Sequence, residues 1–373
     1  MITLSDLARR YHAHKISLAT QIFDVFKSGW WINGQQNQNF CLNFGSYIGV
    51  EYFAGVANGT DALELSIRAL SLKRGAKLNE VVMVPNAGGY AASACFAAGL
   101  MPVWCDIEER SQLISITSAL SCLSERTLAV IVTHLYGGLV DVPALRNQMD
   151  ALGYARVAIL EDCAQAHGLR GAPGTAGAMG EIAAFSFYPT KNLGALGDAG
   201  GIATSDDELY HLVRRLQQYG WDTKYSVSLQ GGRNSRLDEL QAALLDSMLP
   251  HLESENDRRK NIQIAYSSAL PSHARIVTSG LGSVAHLAVI LVPNRELARS
   301  HFDEHKIGTD IHYPILDHCQ PAWRELATHT APAGLPVVEK SVNEILSIPC
   351  HPYMTDAEVS CVIKALETLP QLA

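Results

Sequence analysis

Residues 182–197 read IAAFSFYPTKNLGALG, and Lys191 is the only charged side chain among them. An ammonium group is strongly hydrated and normally stays in water. Held among apolar neighbours, its pKa falls until the neutral amine, a nucleophile that can form a Schiff base, becomes available near neutral pH. Upstream, residues 157–168 read VAILEDCAQAHG, an apolar run of strand character that stops at two carboxylates, Glu161 and Asp162. The carboxyl ends of strands in an α/β sheet are where ligands sit. A Schiff-base lysine with a carboxylate at an earlier strand end is the pair that pyridoxal phosphate chemistry needs, because the carboxylate keeps the pyridine nitrogen protonated and the ring can then act as an electron sink. The competing reading of Lys191 is a surface lysine whose stem lies along apolar surface.

Two other places could serve such a cofactor. Gly59 and Thr60 precede Leu63, Ile67 and Leu70, spaced as one face of a helix, so they stand at a helix N-terminus where free amides and the dipole favour a phosphate. A plain helix cap by Thr60 or Asp61 is the alternative. Tyr90 follows the small-residue loop Ala87-Gly88-Gly89 and could stack on a pyridine face, or be an ordinary core tyrosine.

The elements that must position these residues alternate. Strand-like runs at 81–85, 102–106, 128–133 and 157–160 are interleaved with helical patterns at 61–70, 91–98 and 142–152, which predicts an α/β fold with a mostly parallel central sheet covered by helices. Ser205 with Glu208 reads as a capping box opening a helix with Leu209, Leu212, Val213 and Leu216 on one face, and Ser235 with Asp238 reads as a second helix start. The polar segment HLESENDRRK at 251–260 changes the composition, and the domain boundary is placed there: a large cofactor-binding domain over 1–250 and a smaller C-terminal α+β domain over 251–373.

With 373 residues and 47% hydrophobic composition the chain can bury a large core. A formal charge of −8 with no basic run argues against nucleic acid as a partner. The N-terminus has no apolar leader segment, and no stretch is long and apolar enough to span a bilayer. The eight cysteines form no CxxC pair, and Cys95, Cys105 and Cys163 sit among apolar or small residues, as in a reduced, cytoplasmic protein.

Six collinear segments carry a resemblance: 58–63 (NGTDAL), 134–137 (HLYG), 161–168 (EDCAQAHG), 185–198 (FSFYPTKNLGALGD), 234–242 (NSRLDELQA) and 311–314 (IHYP). Together they resemble the DegT/DnrJ/EryC1/StrS nucleotide-sugar aminotransferases, along nearly the whole chain. The resemblance implies a fold-type-I pyridoxal phosphate enzyme in which Lys191 carries the cofactor and moves the proton, and Asp162 meets the ring nitrogen. It further implies that Ser186 adds a hydroxyl to the phosphate and that Gln165 meets the ring hydroxyl. It makes Asn234 a phosphate ligand of the neighbouring subunit, hence a homodimer with shared sites. His312 and Tyr313 then face the sugar and Lys224 approaches its diphosphate, although a structural histidine and a solvated Lys224–Asp222 pair are the plainer readings. His134 and His167 are expected to be structural.

The implied reaction moves an amino group from L-glutamate, which leaves as 2-oxoglutarate, to a nucleotide-linked keto-sugar. Gly231-Gly232-Arg233-Asn234 and Pro85 to Tyr90 look more like the branch aminating C3 of dTDP-3-keto-6-deoxyhexoses than the C4 branch, in which an aromatic residue commonly stands at the position of Arg233. The related dehydratases carry histidine where Lys191 stands, so the lysine favours transamination. Other classes fare worse. His301, Glu304 and His305 match the zinc pattern H-x-x-E-H, but in a heavily charged, exposed-looking helix. A dehydrogenase lacks its GxGxxG after a strand. A catalytically silent binding protein on the same fold would not need Lys191, Asp162 and the phosphate motif together.

Overall fold

The computed structural model describes residues 1–75, 77–326 and 328–371. Helices α1 (Leu7–Ser28) and α2 (Gln35–Ile48) lead into β1 (Tyr52–Val56), α3 (Gly59–Arg74), β2 (Glu80–Met83), α4 (Tyr90–Ala97), β3 (Met101–Trp104), α5 (Ile116–Ser121), β4 (Thr127–Thr133), α6 (Val142–Ala151) and β5 (Ala158–Asp162). A small hairpin, β6 (Arg170–Gly171) and β7 (Gly174–Thr175), precedes β8 (Ile182–Ser186), β9 (Gly200–Thr204) and α7 (Asp207–Leu216). A second hairpin, β10 (Trp221–Thr223) and β11 (Ser226–Val227), is followed by α8 (Glu239–Met248) and α9 (Leu252–Ala269). The chain closes with β12 (Arg275–Ile276), β13 (Ala288–Leu291), α10 (Arg295–Glu304), β14 (His329–Thr330), α11 (Pro336–Ser341), β15 (Ile345–Ile348) and α12 (Asp356–Glu367).

The large sheet has eight strands in the order β1-β9-β8-β5-β4-β2-β3-β14. Only the β1–β9 and β9–β8 pairings are antiparallel, so β9 alone runs against the rest. Strands β2, β4 and β5 are buried along their whole length, because helices cover both faces of such a sheet. A second core, built on Phe40, Phe44, Phe53, Phe185 and Phe187, ties α1, α2 and α8 to the β8–β9 side. The antiparallel sheet β12-β13-β15 with α9, α10 and α12 buries a third, around Tyr266, Phe302, Leu346 and Val362.

Two helix starts differ from the expected signals. The N-cap of α7 is Asp206, whose carboxylate accepts from Leu209 N, in place of the Ser205–Glu208 box, because Ser205 lies one position too early. At α8, Asp238 is the cap residue but makes no capping bond, and Ser235 Oγ instead accepts from Ala57 N at 3.2 Å. Glu239, next along, turns its carboxylate to the free amides of Gly34, Gln36 and Asn37 at the start of α2. No helix among the described residues is long and apolar enough to cross a membrane.

Candidate active site

Lys191 sits on the loop between β8 and β9, and that loop has little freedom. Arg10 of α1, itself buried, donates to three of its carbonyls: Pro189 at 3.1 Å, Lys191 at 2.9 Å and Asn192 at 2.7 Å. The Asn192 side chain is held by Asn256 Oδ1, Val284 O and His286 Nδ1, Leu193 N donates to His167 Nδ1, and Tyr11 donates to Ala195 O. Burial lowers the Lys191 amine to about 8, with the charge of Asp162 pulling the other way. No carboxylate forms a salt bridge with it among the described residues.

Successive residues of a strand face opposite sides, and β5 uses this to give its two carboxylates separate tasks. Asp162 lines a cavity of about 650 Å³ together with Lys191. Burial raises the Asp162 carboxyl, while the amide of Ala164, the charge of Lys191 and the Thr133 hydroxyl oppose the rise. Glu161 points away from that cavity. Burial would raise it too, but His134 at 3.0 Å and the amides of Gly177 and Gly180 outweigh burial and hold it down; it also accepts from Met179 N. His134 receives Val140 N on its other nitrogen, and burial takes His167 down to about 3, so both imidazoles are structural partners.

At one end of the cavity α3 begins. Its cap is Asn58, which accepts from Asp61 N at 2.8 Å, rather than Thr60 or Asp61, and this leaves the amides of Gly59 and Thr60 free of partners among the described residues. A Cβ on Gly59 would meet Ser186 Cβ at 2.5 Å, so only glycine lets the helix start lie against the end of β8. Tyr90 opens α4, about half exposed at 51%, with its ring edge-on to Tyr313 at 6.1 Å. Gly88 has φ +80°, and a Cβ there would strike the Tyr313 ring at 2.9 Å; the turn needs glycine on both counts. Gln165 accepts from Tyr136 N and donates to Tyr313 OH at 3.2 Å. His312 bonds Ser347 Oγ at 2.8 Å, and burial lowers its imidazole.

Thus Gly59, Thr60, Tyr90, Asp162, Gln165, Ser186, Lys191, His312 and Tyr313 share one cavity. Lys224 and Arg233 do not line it, and neither does Asn234, which was expected at the site of a neighbouring subunit. Lys224 lies in the turn of the β10–β11 hairpin, its amine 5.1 Å from the Tyr225 ring centre, and Asp222 pairs with Arg215 instead. Arg233 pairs with Asp61 at 3.0 Å and with Glu64, both on α3 of its own chain. Asn234 bridges to Gln218. Conversely, His286, Arg259 and Asp310 line the cavity without having been singled out, as does Asp198, which closes the segment 185–198 but was given no role of its own.

The zinc reading fails. His301 Nε2 donates to Ala365 O at 2.8 Å, and His305, past the end of α10, donates from Nδ1 to His301 O at 2.8 Å. Among the described residues the one cluster of three metal-type side chains is His134, Glu161 and Cys163, whose imidazole and carboxylate are already committed to each other and to backbone amides.

The sequence profile of the DegT/DnrJ/EryC1/StrS aminotransferase family matches residues 14–367. The chain belongs to that family. It is 35% identical over 364 residues to a dTDP-3-amino-3,4,6-trideoxy-alpha-D-glucose transaminase of Micromonospora megalomicea subsp. nigra, covering 95% of each chain. It is 37% identical over 369 residues to a dTDP-3-amino-3,6-dideoxy-alpha-D-galactopyranose transaminase of Aneurinibacillus thermoaerophilus, covering 98% of this chain and 99% of that one. The crystal structure of S. venezuelae DesV in complex with a ketimine intermediate superposes with a TM-score of 0.90 at 35% identity, covering 98% of this chain and 97% of that one.

The protein is therefore a pyridoxal phosphate-dependent aminotransferase of fold type I. Its cavity suits that cofactor: a partly buried amine, a buried carboxyl with acceptor capacity to spare, and unused amides beside a hydroxyl.

Proposed function

We propose that this aminotransferase moves an amino group from L-glutamate to C3 of a dTDP-linked 3-keto-6-deoxyhexose. The observation that carries the reading is that two transaminases matched over nearly their whole length are both named for dTDP-sugars bearing the amine at carbon 3.

In this reading Gly59, Thr60 and Ser186 hold the cofactor phosphate, Tyr90 stacks on its ring, Gln165 meets the ring hydroxyl and Asp162 holds a proton at the ring nitrogen. Bound there, the cofactor supplies a carbon that carries nitrogen between substrates and a ring that accepts an electron pair when a neighbouring carbon loses its proton. Lys191, once its amine is free, takes that proton and returns it on the next carbon; a group near pKa 8 is suited to both directions close to neutral pH. The trussed loop keeps the amine in place through both half-reactions. His312 and Tyr313 stand where the sugar enters.

We further propose that Asn234, with Lys224 and Arg233 nearby on the chain, serves the cavity of a second subunit, which makes the homodimer the working unit, and that the two domains divide at residue 250, between α8 and α9. The test of substrate is a panel of dTDP-, UDP- and GDP-keto-sugars offered to the pyridoxamine-loaded protein. A dTDP-3-keto-6-deoxyhexose should restore the original absorbance fastest, with nitrogen at C3 in the product NMR spectrum. A site that hydrogen-bonds a ligand hydroxyl can reject analogues by about 10⁴-fold, so a 4-keto isomer should be slow. Faster reaction of the 4-keto isomer refutes the C3 assignment.

A further inference from the structure

The cavity contains a cation that the cofactor chemistry does not use. Arg259, on α9, lines the cavity and is only 6% exposed. Its Nη1 donates to two neutral acceptors, Cys350 O at 2.7 Å and His286 O at 3.5 Å. Its Nε is walled off without an acceptor, and no group among the described residues accepts from Nη2. No carboxylate among the described residues forms a salt bridge with it. Glu255, the acid whose charge it feels, is held by Tyr353 and by His14 at 3.1 Å. A guanidinium withdrawn from water without a counter-ion is unfavourable until a ligand supplies one, and its Nη2 can donate a charge-assisted hydrogen bond to a carboxylate oxygen.

We propose that Arg259 receives a carboxylate of the amino donor, forming the donor subsite of the cavity that holds Lys191. This rests on the reading of glutamate as donor. One free guanidinium nitrogen, Nη2, suits the single charge of a carboxylate better than the multiple charge of a sugar diphosphate. The rest of the lining agrees: burial keeps His286 uncharged, and Asp310 adds a negative charge that opposes a polyanion.

Glutarate, a dicarboxylate with neither amine nor ketone, probes the subsite without turnover. Titrated into the cofactor-loaded protein it should bind, and Arg259→Gln should weaken it about 10- to 100-fold, with Arg259→Lys in between. The affinity for dTDP and the absorbance of the bound cofactor should stay unchanged. Equal glutarate affinity in both proteins overturns the proposal, as does no glutarate binding by the wild type, or a loss that falls on dTDP instead. Should Arg259→Gln fail to fold, a crystal structure of the wild-type protein with glutarate decides: a carboxylate bonded to Arg259 supports the subsite, and one bonded elsewhere refutes it. Because glutarate cannot react, a failed amino transfer with glutarate binding intact would count against the donor reading and leave the subsite standing.

Discussion

Two segments, the loop after β8 and the one after α7, carry residues that resemblance made important, and they are built in opposite ways. The loop of Lys191 has bonds to its backbone or side chains from α1, α9, His167 and His286. The segment 219–234, with its hairpin, exposes Tyr219, Tyr225 and Val227, the last two at 78% and 65%. The first places its functional side chain in its own cavity. The second places Lys224, Arg233 and Asn234 outside it. A loop that must hold a nucleophile to a fraction of an ångström is fixed by its own chain, whereas the exposed apolar side chains of the second segment fit the proposed contact with a second subunit.

The contrast can be broken first at the fixed end. Asp162→Asn should keep the cofactor yet lose turnover about 10- to 1000-fold, the equivalent of an ion pair that shifts a pKa by about 1 to 3 units. In the cofactor-free protein, labelling of Lys191 by an amine reagent should rise with pH through about 8. Since Asp162 raises the pKa of Lys191, its neutral replacement should move that rise to lower pH. An unchanged labelling profile and near-normal turnover would mean that another carboxylate does the work.

The exposed end is tested by mixing. If Asn234 serves a second subunit, Lys191→Ala and Asn234→Ala chains are each deficient, but each hybrid dimer has one intact site, and random exchange should restore about a quarter of wild-type activity. No recovery after demonstrated subunit exchange contradicts the shared site. The smallest effects are on stability. Gly88→Ala forces a left-handed residue against Tyr313 and should lower stability by about 1 to 2 kcal/mol, while Lys224→Ala on the hairpin should stay within about 0.5 kcal/mol. Denaturant midpoints that reversed this order would show that the Gly88 turn is not strained.

The parts of the site read from sequence are those in which one short segment carries its own signal: a lone charge in an apolar run at Lys191, a strand ending in acid at Asp162, glycine beside a helix start at Gly59. The strands β2 to β5 and helices α3, α4 and α6 were legible for the same reason, within a few residues at their ends. What was not legible is what the fold assembles from afar. Arg10 clamps a loop about 180 positions away, and Glu239 caps a helix some 200 positions earlier. Arg259 lay in a run read only as a polar segment at the domain boundary, because nothing local distinguishes an arginine about to be buried from a solvated one. The H-x-x-E-H motif, set aside from sequence because its helix looked exposed, shows the converse: its spacing was right, and its imidazoles are spent on backbone carbonyls.

The central claim is that the partly buried amine of Lys191, in the cavity it shares with Asp162, is the group that joins the cofactor. Borohydride reduction of the pyridoxal phosphate-loaded protein followed by peptide mapping tests it directly. The account predicts one labelled lysine, in the peptide spanning residues 182–197. A label on any other lysine, or none after reconstitution with the cofactor, would contradict it.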